Sequence, residues 1–225
     1  MSKKIKSFIC AIDGSSASGK STMAKMIGKK YRWSVLYTGL LYRYAAKILL
    51  DKNPKDEVKF LNKIFSKINY EKIKGINLHN SKISSYSSVI AQKRKVRAII
   101  KKYQLSYVKK KKKVVLEGRD MSQIFPHADV KFFVVCKPLK IAARRRFLQL
   151  KKTTKNITLK EVNKELLKRD NMDRHRKISP LVKAADSWYI NTAKLNIRAV
   201  INKSSSIIDL VIKKKYGNWN KLKKR

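Results

Sequence analysis

Short apolar runs punctuate the chain at residues 8–12, 35–37, 114–116 and 130–136, each bounded by polar residues, and each reads as a strand buried on both faces. Trp188-Tyr189-Ile190-Asn191 adds a fifth candidate. Between them the apolar positions recur at helical spacing. Residues 21–30 carry Met23, Ala24, Met26 and Ile27 on one face, and residues 58–68 carry Val58, Leu61, Ile64, Phe65 and Ile68. The same spacing predicts helices over 40–50, 85–107, 140–150 (begun by Pro138), 158–170 and 197–215, the last with a possible interruption at 204–206. Two alternating segments, 69–73 and 76–84, flank Lys74-Gly75 and predict a small hairpin beside the main sheet. Strand alternating with helix implies an α/β fold with a central parallel sheet between helical layers. No internal repeat interrupts that order.

The first strand leads into Gly14-Ser15-Ser16-Ala17-Ser18-Gly19-Lys20-Ser21, which fits G-x-x-x-x-G-K-[ST] in the strand–loop–helix setting that motif requires. Glycine at 14 and 19 admits backbone angles that turn successive N–H groups toward one phosphate. Lys20 would reach the β- and γ-phosphates of a nucleoside triphosphate. The Ser21 hydroxyl would lie on Mg²⁺, and the helix starting there, with Thr22 in its first turn, points its positive end at the anion. A guanine-reading Asn-Lys-x-Asp is absent, because the Asn-Lys pairs at 62–63, 163–164 and 202–203 lack Asp two residues on, which argues against a GTPase. What remains is arginine at strand ends and an Arg/Asp cluster, Arg169 to Arg176, placed between two helices where a mobile lid would sit. Charge of that kind suits transfer of a phosphoryl group between two polyanions.

Composition changes this picture little. At 225 residues and 43% hydrophobic content the chain can bury one domain core with inserted lobes. The formal net charge of +43 would ordinarily suggest a nucleic-acid partner, but the excess is spread over nearly every segment. The expectation is therefore solvated lysine with nonspecific polyanion binding and no dedicated nucleic-acid partner; a basic binding protein without catalysis is the competing reading. Cys10 and Cys136 lie inside apolar runs without C-x-x-C spacing and read as buried thiols of a reducing compartment. The start at Met1-Ser2-Lys3-Lys4 lacks a signal-peptide pattern, no run approaches the ~20 apolar residues of a membrane span, and a cytoplasmic protein is expected. His79, His127 and His175 read as surface or loop polarity, and the tail 216–225 as basic and featureless.

The ordered landmarks Ile12-Asp13-Gly14 with the phosphate loop, Thr38-Gly39-x-x-Tyr42-Arg43, Val96-Arg97, Glu117-Gly118-Arg119-Asp120-Met121, Phe125-Pro126-x-Ala128-Asp129, Arg145-Arg146 and Arg169-Asp170-x-x-Asp173-Arg174-x-Arg176 before Ser179-Pro180-Leu181 resemble the bacterial cytidylate kinases, a nucleoside-monophosphate kinase family. The resemblance spans residues 5 to about 195. It implies a P-loop three-layer αβα domain over 1–225, with core segments 5–57, 110–153 and 180–215, a small monophosphate-binding insert at about 58–109 and a lid at about 154–179. The implied reaction is ATP- and Mg²⁺-dependent phosphorylation of CMP, and of dCMP, in pyrimidine nucleotide metabolism; another phosphate-loop kinase acting on UMP, AMP or shikimate is the nearest alternative. By resemblance Thr38, Arg43 and Arg119 hold the acceptor phosphate, Ser88, Arg97 and Asp120 read the cytosine, and Asp173 meets the ribose. Arg169, Arg174 and Arg176 are the implied lid arginines, and Glu117 orders Mg²⁺ or its waters. Arg144, Arg145 and Arg146 read equally as a solvated helix face. A monomer suffices for this chemistry. The chain departs from the family pattern in a shorter segment before Ser88, in Tyr37 where Asp usually precedes Thr-Gly, and in a one-residue contraction between Met121 and Phe125.

Overall fold

The computed structural model describes residues 6–78, 80–151 and 156–217, so the expectations for the first five residues, His79 and the tail beyond 217 lie outside the described residues. Among the described residues, five parallel strands form one sheet in the order β2-β3-β1-β4-β5. They are β1 (Phe8–Gly14), β2 (Ser34–Tyr37), β3 (Lys113–Gly118), β4 (Val130–Val135) and β5 (Trp188–Asn191). β1 is central and paired on both edges, which is why its sequence is almost continuously apolar. Its alternating side chains feed two cores. Cys10 and Ile12 pack with Met23, Ala24 and Ile27 of α1 (Lys20–Tyr31) and with Ile208 and Ile212 of α10 (Ile197–Tyr216). Ala11 faces the opposite layer, where α2 (Thr38–Lys52), α3 (Glu57–Phe65), α4 (Tyr70–Lys74), α5 (Ser81–Ile90) and α6 (Arg94–Lys111) share one apolar cluster.

After β3 the chain makes the single turn α7 (Met121–Ile124), crosses to β4, and continues through α8 (Leu139–Leu150) and α9 (Leu159–His175). α9 starts on a capping box, with Thr158 and Glu161 satisfying each other's backbone N–H groups. Val162 and Leu166 pin it to Ala142 and Ala143 of α8. Both cysteines are buried thiols, as the sequence suggests.

Three expectations are corrected. The hairpin over 69–84 does not form: Asn69 accepts the Glu71 N–H at 3.0 Å and Asn80 the Ile83 N–H at 2.7 Å, so each asparagine starts a helix instead. Tyr70, Ile73, Leu78 and Ile83 are buried, and over so few residues alternation does not discriminate strand from helix. The helix foreseen over 85–107 is two helices. The chain turns at 91–93, where the Arg97 guanidinium donates back to the Ala91 carbonyl at 3.0 Å and Lys93 makes a long-range pair with Glu57 at 2.6 Å, ties that no local breaker announces. Conversely, α10 runs unbroken through 204–206, where the Ser204 and Ser206 hydroxyls are satisfied within the helix, donating back to the carbonyls of Ile201 and Asn202 at 3.1 and 3.0 Å.

Candidate active site

The carboxyl ends of β1 and β3 open onto a cleft of about 1160 Å³, larger than the ~300–1,000 Å³ usual for a single small ligand. At one side lies the phosphate loop. Gly14 has φ of +156°, and a β-carbon there would stand 1.9 Å from the Val134 carbonyl oxygen; Gly19, at φ +84°, turns the chain into α1. No side chain caps the start of α1, which leaves its first N–H groups for an anion. Ser16, Ala17, Ser18, Gly19, Lys20, Ser21 and Thr22 line the cleft, while Gly14 and buried Ser15 are not among its lining residues. The Lys20 ammonium donates to the Ser15 carbonyl at 2.9 Å and lies 3.6 Å from Glu117. Burial, reinforced by Arg119, lowers its pKa to about 8.

The other side is built from side chains brought together by five elements. Thr38, at the start of α2, donates to the Glu117 carbonyl at 2.9 Å and lines the cleft beside Arg43. Burial and the nearby Arg169 lower the Arg43 pKa to about 10. Arg97 of α6 makes a short buried ion pair with Asp120, and its guanidinium lies 5.8 Å from the Tyr42 ring. Arg176 approaches the same carboxylate at 3.8 Å and Asp173 at 3.5 Å. Burial raises the Asp120 pKa against the pull of Arg97 and Arg176, and it lowers those of Arg169 and Arg176.

Arg119 is the hub between the two sides. It donates to the Gly14 carbonyl and, at 2.8 Å, to the Ser16 hydroxyl, and it meets Asp173 at 3.1 Å and Asp170 at 3.6 Å. Its position depends on Asp13, which sequence reading left without a role. The buried Asp13 carboxylate accepts the N–H groups of Met121 and Ser122 at 2.7 and 2.8 Å, fixing the turn that follows Arg119-Asp120. Desolvation raises its pKa to about 6.

The cleft thus gathers Lys20, Ser21, Thr38, Arg43, Ser88, Arg97, Glu117, Arg119, Asp120, Arg169, Asp173 and Arg176, all but Arg97 along its lining. Arg174 is the exception: it is exposed on α9 and stands apart from the lining residues, because the helical turn that aims Asp173 inward carries its neighbour away. Ser88 shares its face with Ser84, Ser87 and Ala91, the i, i+3, i+4, i+7 spacing of α5, and donates to the Ser84 carbonyl at 3.3 Å. That spacing was visible, but the expected hairpin ended at Ser84 and concealed it. Arg145 is more than a solvated face. It donates to the carbonyls of Thr192 and Ala193 at 2.9 and 3.2 Å and lines the cleft with Arg146, Asn196 and Arg198; Arg144, exposed like Arg145, does not line it. His127 and His175 are exposed and stand apart from the cleft, as expected.

Among the described residues no cluster of three or more His, Cys, Asp or Glu could hold a metal ion by itself. Ser21 and buried Glu117 both line the cleft, and one hydroxyl plus one carboxylate fit a Mg²⁺ that takes its other ligands from nucleotide phosphates and water. No helix among the described residues is long and apolar enough to cross a membrane.

A family model described as cytidylate kinase matches residues 10–210. A cytidylate kinase of Clostridium tetani is 34% identical over 230 residues, covering 95% of this chain and 99% of that protein. One from Nitrobacter winogradskyi is 34% identical, with 90% and 96% covered, and one from Rickettsia akari is 31% identical, with 90% and 92% covered. Among solved structures, TT1252 from Thermus thermophilus superposes with a TM-score of 0.50 at 16% identity, covering 90% of this chain and 96% of that one. An uncharacterized protein from Eubacterium ventriosum does so at 0.50 and 13%, covering 91% and 98%, and both speak for the fold alone. A match that runs from the first strand into the last helix takes in both sides of the cleft, and the chain therefore belongs to the cytidylate kinase family of nucleoside-monophosphate kinases.

Proposed function

We propose that this enzyme transfers the γ-phosphoryl group of ATP to CMP, and also to dCMP, with the phosphate loop as donor side and the α5, α6 and Asp120 side as acceptor side. The observation that best supports CMP is the buried Arg97–Asp120 pair, whose Asp120 lines the same cleft as Lys20. A cytosine edge offers one amino donor beside the N3 and O2 acceptors, so a carboxylate, a guanidinium and the Ser88 hydroxyl can together satisfy it. Uracil would set a carbonyl against Asp120. Thr38, Arg43 and Arg119 hold the acceptor phosphate, and Asp173 meets the ribose.

Phosphoryl transfer needs positioning and charge compensation more than acid–base chemistry. Lys20, Arg119, Arg169 and Arg176 surround the point of transfer and stabilise charge on the moving group. Gly14, Ser15, Ser16, Ala17, Ser18, Gly19, Ser21 and Thr22 hold the donor phosphates through the loop and the start of α1. Mg²⁺, held through Ser21 and Glu117, would neutralise phosphate charge when bound. Arg174 has no part in this reading. The insert at about 58–109 and the lid at about 154–179 close on acceptor and donor, the protein works as a monomer in the cytoplasm, and its surplus lysine attracts polyanions without specificity.

An ADP-release assay comparing CMP, dCMP, UMP, AMP and shikimate as acceptors tests the reading. A preference for CMP and dCMP is expected, and equal turnover with UMP or AMP would overturn it.

A further inference from the structure

The phosphate loop is built for an anion, and in this structure one of its N–H groups already has one. The Ser16 N–H donates to an Asp170 carboxylate oxygen at 2.7 Å, across 154 positions of sequence. Asp170 belongs to α9, so the contact docks that helix directly on the loop. Arg119 reinforces it from the side, 3.6 Å from the same carboxylate and bonded to the Ser16 hydroxyl and the Gly14 carbonyl. A charge-assisted hydrogen bond with a guanidinium alongside is the arrangement in which such a loop holds a phosphate oxygen.

We infer that the Asp170 carboxylate is an internal stand-in for the donor's phosphate, occupying the loop in the nucleotide-free enzyme and yielding to nucleotide, and that it thereby sets donor affinity. The argument is electrostatic. Two anions a few ångströms apart repel strongly in a half-buried cleft, so Asp170 and a terminal phosphate do not share the Ser16 N–H. Displacement also frees Arg119, which has five N–H donors and keeps Asp173 at 3.1 Å as an anchor while its other donors turn to the arriving group. Asp170 is accordingly a positioning residue whose contact competes with the donor. Of the acceptor side Arg119 touches Asp170, but the base-reading pair Arg97 and Asp120 does not pass through it.

The inference rests on the phosphate loop being the donor site, and the test separates the two. ADP and CMP are titrated calorimetrically, in separate runs with chelator and no added metal ion, into the wild-type chain, Asp170→Asn and Asp170→Ala. Both variants should bind ADP about fivefold tighter than wild type while CMP affinity stays within about twofold, the lower end of ordinary coupling between competing contacts. Tightening toward one nucleotide is a change that mere structural damage does not produce, and the near-isosteric Asn variant guards against misfolding. ADP binding that is unchanged or weaker in both variants overturns the inference. Wild-type protein that binds CMP but no ADP would overturn the donor-site reading itself, and the inference with it.

Discussion

The two halves of the cleft are made in opposite ways. The donor side is a contiguous stretch whose working groups are backbone N–H atoms, held by two glycines and the uncapped start of α1. The acceptor side has no contiguous stretch. It is assembled from α2, α5, α6, the end of β3 and α9, and its side-chain charges pair with one another. Backbone groups cannot be mutated away, so the donor side should fail through its single lysine or through geometry. Paired buried charges leave a costly orphan when one partner is removed, so the acceptor side should fail by losing discrimination.

The largest effect should come from Lys20→Ala, since no other side chain of the loop itself carries charge. Turnover efficiency with ATP should fall on the order of 10³-fold, as for loss of a preorganised charge donor, measured as kcat/KM. A loss of only a few-fold would mean that the arginines alone neutralise the transferring group. Next in size, Gly14→Ala forces a β-carbon into the Val134 carbonyl oxygen and should cost stability by about 2–4 kcal/mol, in the range of strained backbone combined with overpacking. Chemical denaturation reads this directly, and an unchanged midpoint would show that β1 and β4 can part without cost.

A smaller effect concerns pH. Lys20 is cationic below its pKa and neutral above it, and because burial has lowered that pKa, the charge is lost as pH rises through about 8. The pH profile of kcat/KM for ATP should therefore fall on its alkaline limb near that value, whereas the kcat profile should fall later, since bound phosphates favour the ammonium. Coincident limbs would contradict a Lys20–phosphate contact. Smallest of all, Arg174→Ala should leave kcat and both KM values within about twofold, because an exposed arginine outside the cleft contributes little.

The contrast between the halves also explains what could be read from the sequence. β1, the phosphate loop and α1 were legible because their rule is local: an apolar run, glycines at fixed offsets, then helical spacing. A parallel sheet between helical layers follows from alternation of strand with helix, whereas the order β2-β3-β1-β4-β5 does not. The acceptor lobe was misread where local signals are weakest. Asn69 and Asn80 are turn residues and helix caps alike, and only the burial of Tyr70 and Ile83 in the shared core decides for helix. The break between α5 and α6 is held by Arg97 reaching back to Ala91 and by Lys93 pairing with Glu57, side-chain ties without a sequence signature. Motif resemblance brought Arg97, Asp120 and Arg176 together correctly, but it also carried Arg174, which is exposed on α9 outside the cleft. Asp13, Arg145 and Asp170 stood inside or beside quoted motifs, and their contacts lie 108, 47 and 154 positions away, beyond any local pattern.

The most direct test of the division between donor and acceptor sides is the ratio of kcat/KM for CMP to that for UMP, measured in wild type and Asp120→Asn at saturating ATP. The amide can donate to a uracil carbonyl where the carboxylate cannot, so the ratio should favour CMP strongly in wild type and collapse by about tenfold or more in the variant, as for loss of one well-placed polar contact, with KM for ATP nearly unchanged. An undiminished ratio, or equal losses toward CMP and ATP, would contradict the assignment of Asp120 as the residue that reads the base.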